Sequence, residues 1–167
     1  VIEWLDSPVV YRAVPGFLPV MRDAVRQTHQ RTRSFHHYVH MARKNYREHL
    51  CGDTVRLKKY FYALRPLLAT LWLERGLGVV PMRFGELLNA LELVPAVRAA
   101  IDELLIIKAT ASESQYGPPL AILNAFIHEE LQRLESVLLP LSCETDFSVL
   151  DRLLLDTVLR ASPSSTE

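Results

Sequence analysis

Apolar residues recur along this chain at steps of three and four, and turn-forming clusters break that rhythm into segments of helical length. Val1 to Leu5 reads as the tail of a helix, stopped by Ser7-Pro8 because proline disfavours a helical residue before it. Beyond the Pro15-Gly16 turn, Phe17, Val20, Met21, Ala24 and Val25 predict a helix to about His29. Ser34 is placed to cap a second helix that runs to Leu50, where Cys51-Gly52 ends it. Asp53 is placed to cap a long third helix to about Arg75, with Pro66 inside it expected to kink it. A short helix is expected from Phe84 to Leu91. Another opens on Pro95 and runs to Ala109, carrying Val97, Ile101, Leu104, Leu105 and Lys108. A polar linker over 112–119 precedes a helix from Pro119 to Leu139, and Asp146 caps a last one from Phe147 to Ala161. Nowhere does the strict alternation of a half-buried strand appear. The pattern predicts an all-α fold, a bundle of six to eight helices with no substantial sheet, as one domain over 1–167 with 162–167 a loose tail. Trp72, Phe61, Leu64, Leu68 and Tyr46 are its expected core.

Two of these helices carry an organised polar face. With about 100° per residue, His36, His40, Arg43 and Arg47 fall within roughly 60° of one another, beside an apolar arc of Phe35, Val39, Ala42, Tyr46 and Leu50. In the third helix Leu57, Tyr60, Leu64, Leu68 and Leu71 form the apolar arc, with Lys58, Tyr62 and Arg65 opposite and Lys59 adjoining. Lysines and arginine interleaved with tyrosines suit phosphate together with a stacked base or sugar. These eight, Lys58, Lys59, Tyr62, Arg65, His36, His40, Arg43 and Arg47, are the candidate nucleotide- or phosphate-binding residues. If both faces line one cleft, the two helices must be adjacent and antiparallel, as a short connection favours.

Charge strengthens that expectation. Residues 1–75 hold 13 Lys and Arg against 6 Asp and Glu, whereas residues 76–167 hold 6 against 13. The formal neutrality of the chain therefore conceals a basic half and an acidic half, and a basic half calls for an anionic ligand or an acidic surface.

Much else is excluded. Nearly half of the residues are hydrophobic, which rules out disorder as the main state. No apolar run approaches the ~20 residues of a membrane span and no signal-peptide pattern opens the chain, so a soluble cytoplasmic protein without a membrane partner is expected. Cys51 and Cys143 lack the spacing of a zinc ribbon or a disulfide framework. No phosphate-binding glycine loop, HExxH or GxSxG occurs, so no catalytic residue is assigned. Asp102-Glu103 and Glu129-Glu130 are adjacent pairs splayed by about 100°, which suits solvated charge rather than a two-metal centre. His36 and His40 lie one turn apart but have no third ligand, so no metal is assigned. Arg43 and His49 have the spacing of the Arg-x4-6-His motif of HEPN-like ribonucleases, although six residues set them about 120° apart on a straight helix.

Four segments in order carry a more specific likeness: EWLDSPVVYR (Glu3 to Arg12), HHYVHMARKNYREHL (His36 to Leu50), LKKYFYALRPLLATLWLERG (Leu57 to Gly76) and PMRFGELL (Pro81 to Leu88). Over residues 1–110 the chain resembles the C-terminal part of predicted nucleotidyltransferases of the DNA polymerase β superfamily, including a bacterial branch associated with RNA repair. The resemblance implies the helical appendage of an enzyme whose own N-terminal α/β catalytic domain, absent from this chain, carries a Gly-Ser motif and metal-binding acidic residues. It implies transfer of a nucleoside monophosphate from a nucleoside triphosphate to a hydroxyl acceptor, RNA among the candidates, with two Mg2+ ions held outside this chain. Lys58, Lys59 and Tyr62 match the lysine and tyrosine that such helices lend to the triphosphate. Glu3 is not expected to be a metal ligand, because it sits in the element leading away from the catalytic domain. The alternatives are a non-enzymatic helical module that binds RNA or a protein, and the HEPN-like ribonuclease. On the leading reading the purified chain alone should transfer no label from any nucleoside triphosphate in magnesium or manganese; detectable transfer would contradict it.

Overall fold

A computed structural model describes residues 2–110, 115–139 and 145–161. Parts of four expectations lie outside the described residues: Val1 of the first segment, residues 112–114 of the linker, Cys143, and the 162–167 tail. Among the described residues are seven α-helices: α1 (Phe17–Thr28), α2 (Arg31–His49), α3 (Tyr60–Glu74), α4 (Phe84–Ala90), α5 (Pro95–Thr110), α6 (Ala121–Arg133) and α7 (Ser148–Ala161). A 3-10 turn over Ile2–Asp6 stands where the tail of a helix was expected, and another over Leu57–Lys59 leads into α3. The fold is the expected all-α bundle. One small ladder departs from it: β1 (Val55–Arg56) pairs antiparallel with β2 (Tyr116–Gly117), Val55 facing Gly117 and Arg56 facing Tyr116. Two-residue strands leave no alternation to read in the sequence.

The centre of the bundle is α3. Ten of its residues are buried, from Tyr60 to Leu73, and they lie on almost every side of the helix rather than on one arc. An all-round apolar helix needs cover on all sides. Phe35, Val39 and Ala42 of α2, Leu87 and Leu88 of α4, and Leu123, Ile127 and Leu131 of α6 belong to the same core. Leu64 and Leu68 are fully buried as expected, whereas Phe61, Trp72 and Tyr46 are only partly so. Each of those three rings reaches an edge. Trp72 Nε1 donates to the Gly78 carbonyl at 3.3 Å, Phe61 packs edge-on against Phe84 at 5.4 Å, and Tyr46 lies tilted against His128. The helix continues through Pro66, whose carbonyl accepts a bond from the buried Thr70 hydroxyl at 2.9 Å.

Two cap expectations are corrected. The helix α2 begins at Arg31 rather than at Ser34, and the Ser34 hydroxyl meets His29 Nε2 at 3.0 Å inside it. Burial holds the His29 imidazole below its usual pKa. Asp53 stands ahead of β1, so it caps no helix. Asp146 does serve the start of α7, accepting from the backbone N–H and the hydroxyl of Ser148, both at 2.8 Å. Among the described residues no helix is long and apolar enough to cross a membrane.

Long-range polar contacts fix the ends of α3. At its start, the Tyr60 hydroxyl accepts from Leu120 N and donates to Asn124 Oδ1, both at 2.7 Å, and Asn124 Nδ2 donates to the Leu50 carbonyl at 3.1 Å. That relay joins the end of α2, the start of α3 and the start of α6; burial raises the Tyr60 pKa. At its end, Arg31 donates from Nε to the Leu73 carbonyl at 2.6 Å and from Nη2 to the Glu74 carbonyl at 2.8 Å. A cation thus occupies the negative end of the helix and satisfies two carbonyls that lack intrahelical partners. Because the first residue of α2 bonds the last of α3, the two helices are antiparallel neighbours. Gly76, at φ 72°, takes the left-handed conformation that turns the chain away beyond this point. The Glu74 carboxylate is also gripped by Arg133 of α6 through bonds of 2.7 and 2.6 Å, which hold its pKa below the usual value. Arg31→Ala should lower stability by about 1.5–3 kcal/mol, the scale of hydrogen bonds to a charged group. Urea unfolding followed by circular dichroism measures it, and a loss under about 0.5 kcal/mol, the usual surface value, would contradict the capping role.

Candidate functional site

The buried neighbours of Lys58 and Lys59 fix where those side chains can go. Leu57 and Tyr60 bracket the two lysines and point into the core, so the intervening 3-10 turn holds the lysines, half-buried, at the edge of the bundle where α3 emerges. There they border a cavity of about 420 Å³ with Arg56, Phe61, Tyr62, Arg65 and Lys108. Its described lining includes five cationic side chains and no carboxylate. Cations meet aromatic rings within it: Lys59 Nζ lies 4.5 Å from the centre of the Tyr62 ring and Lys108 Nζ 4.8 Å from that of Phe61. At the rim the Arg56 guanidinium lies over Tyr116, 5.5 Å from its centroid.

Arg65 is the best anchored of the five. Its Nη2 donates to the Pro81 carbonyl at 3.1 Å and to Glu3 Oε2, and Tyr38 donates its hydroxyl to the other Glu3 oxygen. The pair is mostly shielded, with 27 % of the Arg65 side chain and 18 % of the Glu3 side chain exposed. One carboxylate from the N-terminal turn therefore ties α2 and α3 together at the wall of the cavity. Arg65 Nη1 is buried and has no hydrogen-bond partner among the described residues.

The eight candidates separate into two groups. Lys58, Lys59, Tyr62 and Arg65 come together in the cavity; His36, His40, Arg43 and Arg47 do not line it, although α2 and α3 are neighbours. His36, His40 and Arg47 are exposed on the outer side of α2, while Arg43 pairs with Glu135 at 3.0 Å. The chosen arc of α2 turns away because Phe35, Val39 and Ala42 take the side that faces α3. Arg56, Phe61 and Lys108 were not foreseen. Lys108 comes from α5 in the acidic half of the chain, where it was read as one position of an apolar periodicity, and Arg56 sits in the two-residue strand.

The alternatives fare differently. Arg43 is taken up by Glu135, and His49 is the half-buried last residue of α2. Among the described residues no three His, Cys, Asp or Glu side chains form a group that could hold a metal ion. A second hollow of about 430 Å³ lies among Leu5, Val25, His29 and Val79, and its two arginines are paired, Arg22 with Asp6 at 2.8 Å and Arg26 with Asp23 at 3.2 Å.

Comparison with known proteins adds the lineage. Residues 1–156 match the model of the RNA repair pathway DNA polymerase beta family, a longer match than the 1–110 region that holds the four motifs. The uncharacterized protein YcgL of Bacillus subtilis (strain 168) is 35% identical over 159 residues. That similarity takes in 94% of this chain and 61% of the relative, so the chain spans less than two thirds of the relative's length. No solved structure matches.

The Glu3–Arg65 pair generates a test that needs no ligand. Glu3→Ala strands a shielded guanidinium and frees the Tyr38 hydroxyl, which should cost about 1–3 kcal/mol, the scale of an unsatisfied buried group. Amide exchange over residues 2–6 should accelerate at the same time. Unchanged stability and exchange would mean that the N-terminal turn is held by other contacts.

Proposed function

The chain belongs to the RNA repair pathway DNA polymerase beta family, and from that premise we propose that it is the helical nucleotide-binding part of a larger nucleotidyltransferase. That enzyme transfers a nucleoside monophosphate from a nucleoside triphosphate to a hydroxyl acceptor. The reading places the catalytic carboxylates and their Mg2+ ions outside this chain, and the relative is longer than the stretch that this chain matches.

The observation that carries this reading is the cavity with five cationic side chains and two aromatic rings. Arg56, Lys59 and Lys108 bring cations to one opening, and an anion there gains several charge-assisted hydrogen bonds. A triphosphate brings the charge that such a cluster neutralises, and Phe61 and Tyr62 offer apolar surface to a sugar or base. Lysines suit this role because an ammonium presents three donors on a flexible stem and follows a phosphate chain without a fixed fork geometry. Arg65, committed to Glu3 and Pro81, supplies a fixed charge at the wall rather than a mobile ligand.

Lys59 and Lys108 test the reading best, because removing Arg65 would also disturb the N-terminal turn. In the intact enzyme, Lys59→Ala and Lys108→Ala should each weaken binding of a nonhydrolysable nucleoside triphosphate by about 1.5–3 kcal/mol. Calorimetric titration at fixed salt measures this. Affinity within about 0.5 kcal/mol of wild type in both variants would reduce the cavity to surface charge and favour the interaction-module alternative.

A further inference from the structure

The outer face of α2 remains after the cavity has been assigned. Arg33, His36, His37, His40, Lys44 and Arg47 are all exposed. At about 100° per residue the exposed positions of α2 fill an arc of roughly 140°, opposite the buried Phe35, Val39 and Ala42. From Arg33 to Arg47 the stripe is about 21 Å long at the helical rise of ~1.5 Å per residue. Within that arc the acidic residue is Glu48, which lies 3.9 Å from Lys44 at the C-terminal end. Arg33, His40 and Arg47 make no hydrogen bond or ion pair among the described residues. The acidic half of the chain does reach α2, but on its flank, where Glu135 takes Arg43. Among the described residues the stripe has no hydrogen-bond or ion-pair partner outside α2.

We infer that this face binds a single-stranded RNA, with Arg33, Lys44 and Arg47 on its phosphates and the imidazoles of His36, His37 and His40 against its unstacked bases. Permanent cations spaced along one helix face can follow a flexible phosphate backbone, and imidazole rings and guanidinium planes are stacking surfaces for splayed bases. An acidic protein surface would use the cations but would leave the three rings without a role. The N-terminal end of the stripe also leads somewhere. Arg33 and His37 line a hollow of about 270 Å³ together with Ile2, Glu3, Ser34 and Tyr38. Glu3 is the carboxylate that holds Arg65 at the wall of the cationic cavity, so a strand entering the hollow comes up against the other side of that wall. Assigning the strand as the acceptor rests on the proposed nucleotidyl transfer; its binding to α2 does not.

The test is fluorescence anisotropy on the full chain, with a labelled single-stranded RNA of about 12 nucleotides, within the span of a single-strand binding site, and a nonhydrolysable nucleoside triphosphate titrated separately. The double variant R33Q/R47Q should lose about tenfold in RNA affinity at moderate salt, and its salt slope should fall by about 1.4, some 0.7 for each phosphate contact removed. Its triphosphate affinity should stay at the wild-type value. Both arginines are exposed, so folding should persist, and R33K/R47K should restore most of the affinity because lysine neutralises a backbone phosphate as arginine does. Unchanged RNA binding in R33Q/R47Q would overturn the inference. So would wild-type protein that takes triphosphate but no RNA, a result that leaves the nucleotide reading standing; RNA binding here with no triphosphate binding in the intact enzyme would do the reverse. Polyglutamate of equal charge competing as strongly as RNA would replace the strand with an acidic protein. Equal affinity for duplex RNA would remove the role of the histidines.

Discussion

Burial of α3 on almost all sides is the constraint from which the rest of this structure follows. A helix with ten buried residues cannot lie on a surface, so α2, α4 and α6 are drawn around it. Its polar obligations must then be met inside the bundle, where an unpaired group costs about 1–3 kcal/mol. The Thr70 hydroxyl bonds back to the Pro66 carbonyl, the Tyr60 hydroxyl is shared between Leu120 and Asn124, and Arg31 reaches from α2 to the last carbonyls. These bonds cross between elements far apart in sequence. They fix the order and direction of the packed helices, which apolar contact alone leaves loose.

The same constraint decides where chemistry can sit. Along the middle of α3 there is no room for charge, so its cationic side chains collect where it emerges, in the Leu57–Lys59 turn and its own first two turns, and Glu74 stands at the far end. Arg65 marks the inner limit of that region. One turn deeper, at Ala69, the chain is fully enclosed. At Arg65 the charge is tolerated because Glu3 and the Pro81 carbonyl take two of its bonds, and because the Tyr38 hydroxyl fixes the carboxylate from the other side. The N-terminal turn is therefore part of the wall of the cavity, although it lies more than fifty residues away in sequence.

How much of this could be read beforehand depends on the range of the interaction. Helical periodicity is local, and it found the helices and grouped Lys58, Tyr62 and Arg65 on one polar side, but it began α3 at Asp53 rather than at Tyr60 and ran α6 to Leu139 rather than to Arg133. It also grouped the polar stripe of α2. It could not say which side of α2 meets α3, because that depends on Phe35, Val39 and Ala42 finding the α3 core, and so the two polar faces were expected to share a cleft that they do not share. Ser34 and Asp53 have the side chains of helix caps, but α2 starts earlier without a side-chain cap, and the pairing of Val55–Arg56 with Tyr116–Gly117 occupies the chain after Asp53. Lys108 and Glu3 reach the site from distant parts of the chain. No local pattern marks such residues.

The division of the chain into a basic and an acidic half acquires a spatial meaning from these contacts. The halves meet through discrete pairs, Arg43 with Glu135 and Arg133 with Glu74, at the flank of α2 and the far end of α3. Each pair neutralises charge away from the cavity and away from the outer face of α2. At physiological salt, charges more than about 8 Å apart are largely screened from one another. A stripe about 21 Å long therefore behaves as a row of separate contacts, whereas the cavity cations, gathered around one opening, act on a ligand together. A flexible strand suits the first arrangement and a compact polyanion the second. The Glu3–Arg65 pair is the physical link between them, since the Glu3 oxygens hold Tyr38 of α2 on one side and the guanidinium at the cavity wall on the other.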